Sequence, residues 1–450
     1  MASAAHRYIL LQEIRMNKYF VGIIIFIAIA VSVSIVANAA NPYTTAESAV
    51  VIDADTGQVL YGKNMHLRLY PASITKIMTA LLALENGSMS DNIVMSHDAV
   101  FSVGRYTSHI ALDVEEVLSL EQALYAIAIV SANDASNGIA ELIGGSMKNF
   151  ALMMSERAVS AGALNTNFTN AHGLPDENHY TTAYDMALIM LEAIKTPEFN
   201  RIFSTVYYEM PPTNINSESR HFWRTGSLIT DTFRYEGVIS EKSGWTSAAG
   251  STFAVAAQRD GRTLIAVVMN SENVITRRHD IVALFDYGFN EFKPIRIRAS
   301  EISKDDYIID GVNVSLQAVD DFYALIDNSL SENDIEIRYV HYHDENNRLR
   351  VIAEFWLKPQ VYSTMYRMLG SMELLPDKED VLTETVEAVA DTDSYETSED
   401  ELSGESGSSA IITILGVSGI LFTSFSILYT RKILIVRRRR KRRRMMRRYR

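Results

Sequence analysis

At 450 residues the chain is long enough for two folded domains with appendages. It has no cysteine, which excludes disulfides, thiolate zinc sites and cysteine nucleophiles. The net charge of -13 is uneven: the last twenty residues hold 13 Lys and Arg and no acid, so the rest carries -26, which argues against nucleic-acid binding by the folded part.

Residues 1–18 are polar, with Arg7, Arg15 and Lys18, and Tyr19 to Ala37 is almost wholly apolar. With the small-residue pattern Ala37-Asn38-Ala39, this predicts an export signal over residues 1–39, cleaved or kept as an anchor. Two short strands flank the turn residues Asp55-Thr56-Gly57, which predicts a hairpin. Gly57 to Asn64 nearly matches a phosphate-binding loop, but its final Asn has no metal-binding hydroxyl and its interior reads as strand.

Pro71 precedes an apolar, helix-spaced run, so it is expected in a first helical turn with Ser73 close behind. Ser73 and Lys76 stand at i and i+3, on one helix face. A lysine neutralised by burial and nearby cations can serve as base for such a serine. Val117 to Ile129 has helical spacing and runs into the polar cluster Ser131-Ala132-Asn133. Gly144 to Ala161 is expected to be helical, Asn165 to Asp176 a polar loop, and Thr181 to Asp185 a helix start. Lys242-Ser243-Gly244 follows at a further distance, then a hairpin turning at Arg259-Asp260-Gly261 and an amphipathic helix over Ile281 to Phe292. There is no G-x-S-x-G motif to pair His172 with a serine, so His172 and Asp176 read as structural loop residues.

Beyond Pro294 alternating runs predict a small β-rich domain over residues 294–374. Residues 377–409 are acidic and rich in Ser, Gly and Thr, a linker composition. Residues 410–430 lack charge over a length that can span a bilayer, and the basic segment 431–450 reads as its cytoplasmic flank.

The three motifs S-x-x-K, S-x-N and K-[ST]-G occur in order, with 58 residues from Ser73 to Ser131 and 111 from Ser131 to Lys242. Together with Asp53 to Gly57, Asn133-Asp134-Ala135, His172-Gly173-Leu174-Pro175-Asp176 and the strand from Gly261 to Val268, they resemble the low-molecular-mass penicillin-binding proteins, serine D-alanyl-D-alanine carboxypeptidases. The resemblance implies an α/β (α+β) transpeptidase fold over residues 43–292, an antiparallel sheet flanked by helices, with no cofactor or metal. It also implies an enzyme on the outer side of a bacterial membrane that removes the terminal D-Ala of peptidoglycan stem peptides and is acylated by β-lactams.

By position, Ser73 is then the nucleophile, Lys76 its base and Ser131 a proton relay. Asn133 positions peptide and lysine, Lys242, Ser243 and Gly244 line the cleft, the N–H groups of Ser73 and Trp245 form the oxyanion hole, and Arg277 holds the substrate carboxylate. Ser243 stands where the family has Thr, and Asn214 to Glu236 follows the family pattern poorly. The alternatives are a penicillin-sensing or wall-binding receptor without turnover and a class A β-lactamase. The latter needs a Glu-x-x-Leu-Asn pattern between the second and third motifs, which the chain lacks.

Overall fold

The computed structural model describes residues 41–376, apart from 231–232, 310, 345–348 and 360–366. Strands β1 (Ser48–Asp53) and β2 (Val59–Lys63) form the expected hairpin, so the stretch resembling a phosphate loop is an edge strand. A 3-10 turn over Ala72–Thr75 leads into helix α1 (Lys76–Asn86). Beyond a short helix at His97–Phe101 come α2 (Leu120–Ile129), α3 (Asn133–Gly144), α4 (Met147–Ser160) and α5 (Ala183–Ile194). After them come α6 (Pro197–Phe203) and the ribbon β3 (Tyr207–Met210) and β4 (Arg220–Trp223). Strands β5 (Val238–Thr246), β6 (Gly250–Arg259) and β7 (Arg262–Ser271) and helix α7 (Val274–Asn290) complete this part.

The main sheet is antiparallel in the order β2-β1-β7-β6-β5. Its central strands are buried on both faces, and side chains alternate between them. Val50, Ile52, Ala254, Ala256, Ile265 and Val267 pack on the helical lobe, while Ala49, Val51, Val255, Ala266 and Val268 pack on Ile281, Leu284 and Phe285 of α7. The strand order makes β5 one edge of the sheet, and its Gly244 lies against the Ser73 turn.

Several boundaries differ from expectation. Val117–Ser119 is a short strand paired with Asn92–Val94, because Ser119 caps α2 in a reciprocal box with Gln122. Asn133 opens a helix of its own, α3, which ends at left-handed Gly145; the next helix then starts at Met147, later than Gly144. The closing helix begins at Val274, since the Asn273 side chain accepts the N–H groups of Ile275 and Thr276, and Phe292 already belongs to a strand.

The β-rich part comprises β8 (Phe292–Ile297), β9 (Lys304–Ile309), β10 (Val312–Gln317), β11 (Phe322–Asp327), β12 (Ile335–His343), β13 (Leu349–Leu357) and β14 (Arg367–Pro376). The pair β8–β11 and the sheet β9-β10-β14-β13-β12 close over a core that includes Ile302, Val314, Leu316, Val351 and Phe355. Gln58 docks the two parts: its amide donates to Leu325 O at 2.7 Å and accepts from Leu325 N at 2.8 Å. The expected signal (1–39), linker (377–409), span (410–430) and basic tail (431–450) lie outside the described residues. Among the described residues no helix is long and apolar enough to cross a membrane.

Candidate active site

Pro71 (φ -74°) and Ala72, held at φ +52°, bend the chain into the turn that presents Ser73. A left-handed alanine is strained, so neighbours must hold it. Thr252 of β6 donates to Pro71 O at 2.8 Å, and Thr79 donates to Ala171 O at 2.6 Å. Gly173, at φ +87°, lies so close that a Cβ there would sit 1.8 Å from Ala72 O. Gly244 of β5 is equally constrained, since a Cβ would fall 2.5 Å from Ser73 N. These two glycines therefore let backbone meet backbone on either side of the serine turn.

Lys76 is fully buried at the start of α1. Its Nζ lies 3.1 Å from Ser73 Oγ, 2.7 Å from Asn133 Oδ1 and 2.8 Å from His172 O. Burial, reinforced by the nearby Lys242 charge, holds this amine well below the ordinary lysine range, against an opposing pull from Asp134. Asn133 Oδ1 and His172 O only accept hydrogen bonds, so each takes an N–H of the amine, which also points at Ser73 Oγ. Once deprotonated, the amine would keep those two bonds and turn its lone pair to the Ser73 hydroxyl.

Ser131, at φ +62°, stands between α2 and α3, and Lys242 Nζ donates to its Oγ at 3.1 Å. Asn133 is fixed by its own N–H to Ser108 O at 2.8 Å, while Asp134 accepts from Ile110 and Leu112 and ties that loop to the start of α3. Lys242 also donates to the carbonyl of Ser243 at 2.9 Å. Neighbouring strand residues point to opposite faces, yet the lysine stem curls back along β5. Burial first, then Arg224 and Arg277, pull Lys242 down to about 7. Ser243 is half-buried, and Trp245 is 63% exposed at the far end of the strand.

Arg277 is buried beneath β5, donating to Ser251 Oγ at 2.9 Å and to Gly244 O at 3.4 Å, over the Phe253 ring at 5.0 Å. Burial and the neighbouring Arg278 lower it to about 10, so it stays charged at neutral pH. His172 and His179 are pushed to about 3 and about 4, mainly by burial, and are neutral. His172 Nδ1 accepts from Leu174 N, and His179 bonds Thr75 and Thr169, so both serve the loop, as expected for His172.

Lys76 and, through it, Asn133 gather at Ser73, Gly244 backs onto its N–H, Lys242 joins Ser131 across the cleft, and Arg277 reaches the Gly244 carbonyl from beneath β5. Sequence reasoning missed the supports: Thr252, the His172 carbonyl, Ser251, and the buried Arg224–Glu241 pair beside Lys242. Only Gly173 carried a signal, inside the His172 to Asp176 segment. Chemically, the cluster offers an activated hydroxyl, a neutral amine, a relay hydroxyl and fixed cations. Among the described residues no group of His, Asp and Glu is placed to hold a metal.

Fold and constellation together define a serine hydrolase of the acyl-transfer type. The profile of the D-alanyl-D-alanine carboxypeptidase family matches residues 35–273, more than half of the chain, and the chain belongs to that family. It is 36% identical over 266 residues to the D-alanyl-D-alanine carboxypeptidase DacF of Bacillus subtilis, covering 58% of this chain and 66% of that relative. To DacA of Haemophilus influenzae it is 31% identical over 308 residues, covering 66% of this chain and 76% of that relative. Among solved structures, penicillin binding protein 5 from Haemophilus influenzae superposes with a TM-score of 0.61 at 27% identity, over 75% of this chain and 98% of that one.

Proposed function

We propose that this serine-type carboxypeptidase removes the terminal D-Ala of peptidoglycan stem peptides through an acyl-enzyme on Ser73. The observation that carries the residue assignment is the hydrogen-bond count at Lys76, whose two N–H groups are taken by pure acceptors. Ser73 Oγ attacks the carbonyl of the penultimate D-Ala and passes its proton to Lys76 Nζ. The developing oxyanion is held by the N–H groups of Ser73 and Trp245. As the C–N bond breaks, Ser131, with Lys242 at its back, relays the proton held by Lys76 to the leaving amine, so that Lys76 is neutral again and Ser131 keeps its hydroxyl. Water then enters, gives a proton to Lys76, and splits the ester to return Ser73. Two of three Lys242 donors are used by Ser131 and Ser243, which leaves one for the substrate carboxylate beside Ser243 and Arg277.

Labelled penicillin should acylate Ser73, and Ser73→Ala should abolish labelling with the fold intact. Lys76→Ala should slow acylation by about 10²–10⁴-fold, the usual worth of a general base; a loss under tenfold contradicts that role.

The signal over residues 1–39 and the uncharged stretch 410–430 followed by 13 basic residues support an outward-facing catalytic domain on a C-terminal anchor. Protease added to intact protoplasts should release that domain by cutting within residues 377–409. A tag at Arg450 digested from outside contradicts this topology.

A further inference from the structure

The ribbon β3–β4 lies partly in the segment that departs from the family pattern, and it is two-faced. Its register pairs Tyr207 with Trp223, Tyr208 with Phe222 and Glu209 with His221. Tyr208 stacks on Tyr125 of α2 at 4.0 Å, and Phe222 and Met210 are buried in the core. The other face points Tyr207, Trp223, His221 and Glu209 to solvent, with Trp223 61% exposed. Tyr207 lies 4.3 Å from the Trp223 ring and nearly parallel to His221, and its hydroxyl meets His221 Nδ1 at 2.9 Å. Large rings left in water and locked against each other mark a binding surface.

The composition of this face selects the partner. It has flat π faces edged by a phenol, an imidazole and a carboxylate, with no aliphatic side chain and no lysine or arginine. That mixture suits pyranose rings, whose C–H faces lie on aromatic planes while hydroxyl and acetamido groups bond to the polar edge. It does not suit an anionic lipid surface, which calls for basic residues.

The ribbon is also pinned to the cleft. Arg224 directly follows Trp223; its N–H and Nε bond Val206 O and Thr205 O at the ribbon base, and its Nη1 donates to Glu241 O, beside Lys242. A pentapeptide stem spans at most about 17 Å when extended, so the glycan that bears it must pass near the cleft. We propose that the exposed β3–β4 face is a glycan platform, on which rings of the aminosugar polymer bearing the stem peptide stack against Trp223 and Tyr207. The proposal rests on the carboxypeptidase reading.

The test uses the full chain and two substrates: a free pentapeptide ending in D-Ala-D-Ala, and the same stems on uncrosslinked glycan strands. Trp223→Ala and Tyr207→Ala should lose about tenfold in kcat/KM on glycan-borne stems and stay within about twofold on the free peptide. Trp223→Phe, which keeps a ring, should recover most of the loss. Independently of turnover, an N-acetylglucosamine oligomer should perturb the tryptophan fluorescence of the unmutated chain and not that of Trp223→Ala. Equal losses on both substrates, no loss on either, or an oligomer that binds the variant unchanged would overturn the platform. So would a variant whose only defect is in vesicle binding or self-association. Failure of the unmutated chain to cleave the free peptide would instead overturn the carboxypeptidase reading, while the fluorescence titration would still decide the platform.

Discussion

At the scale of residues, the chemistry turns on two buried lysines in different states. Lys76 is displaced far below its ordinary range and works as the neutral base, whereas Lys242, at about 7, works as the cation. Lowering the pH protonates Lys76 and removes the base; raising it through about 7 discharges Lys242 and removes a carboxylate partner. The pH profile of kcat/KM reports free-enzyme groups, so it should be a bell whose alkaline limb falls near 7. A rate that keeps rising to pH 9 contradicts the Lys242 assignment. The same shifts act on stability. Between about 7 and the ordinary lysine value the unfolded chain binds a proton on Lys242 that the native state does not, so its contribution to stability rises with pH, and Lys76, lowered in the same direction, adds in the same sense. The lysines, serines and Asn133 were legible because each side chain occupies a fixed place in a spaced motif. Arg224, Glu241, Ser251 and Thr252 were not, because nothing in their local pattern shows that β5, β6 and the Ser73 turn will meet.

At the scale of elements, the nucleophile is held by a vice of backbone: the turn Ala72–Thr75, with Gly173 on one side and Gly244 of β5 on the other. Gly173→Ala would face both a positive φ and a Cβ 1.8 Å from the Ala72 carbonyl, so the turn must move. Its expected effect is a loss of about 3 kcal/mol or more in stability together with loss of penicillin acylation. Gly57→Ala is the contrast, since Gly57 shares a positive φ (+71°) but has nothing within 4 Å of a Cβ; it should cost about 1 kcal/mol and leave acylation intact. Urea unfolding with parallel labelling measures both, and equal behaviour of the two variants contradicts the vice. The hairpins were legible from alternation and turn residues. The limits of α2 and α7 were not, because the capping residues Ser119 and Asn273 override the apolar periodicity around them, and α3 was missed because its first turn is polar yet buried.

At the scale of the described molecule, the catalytic part and the β-rich part share a seam in which Gln58 makes paired hydrogen bonds with the Leu325 backbone while Leu325 itself joins the core beneath α7. Gln58→Ala leaves a buried N–H and C=O unpaired, at about 1–3 kcal/mol each. The β-rich part should then become more sensitive to protease while penicillin labelling of Ser73 persists; loss of both together would show that the two parts unfold as one unit.

The central claim is hydrolytic turnover at Ser73, and mass spectrometry of the purified protein incubated with a free-acid pentapeptide ending in D-Ala-D-Ala tests it most directly. The account predicts the loss of a single alanine from the peptide, over many turnovers, with none from Ser73→Ala. An intact peptide, or a protein that accumulates as a lasting adduct without releasing product, would contradict it.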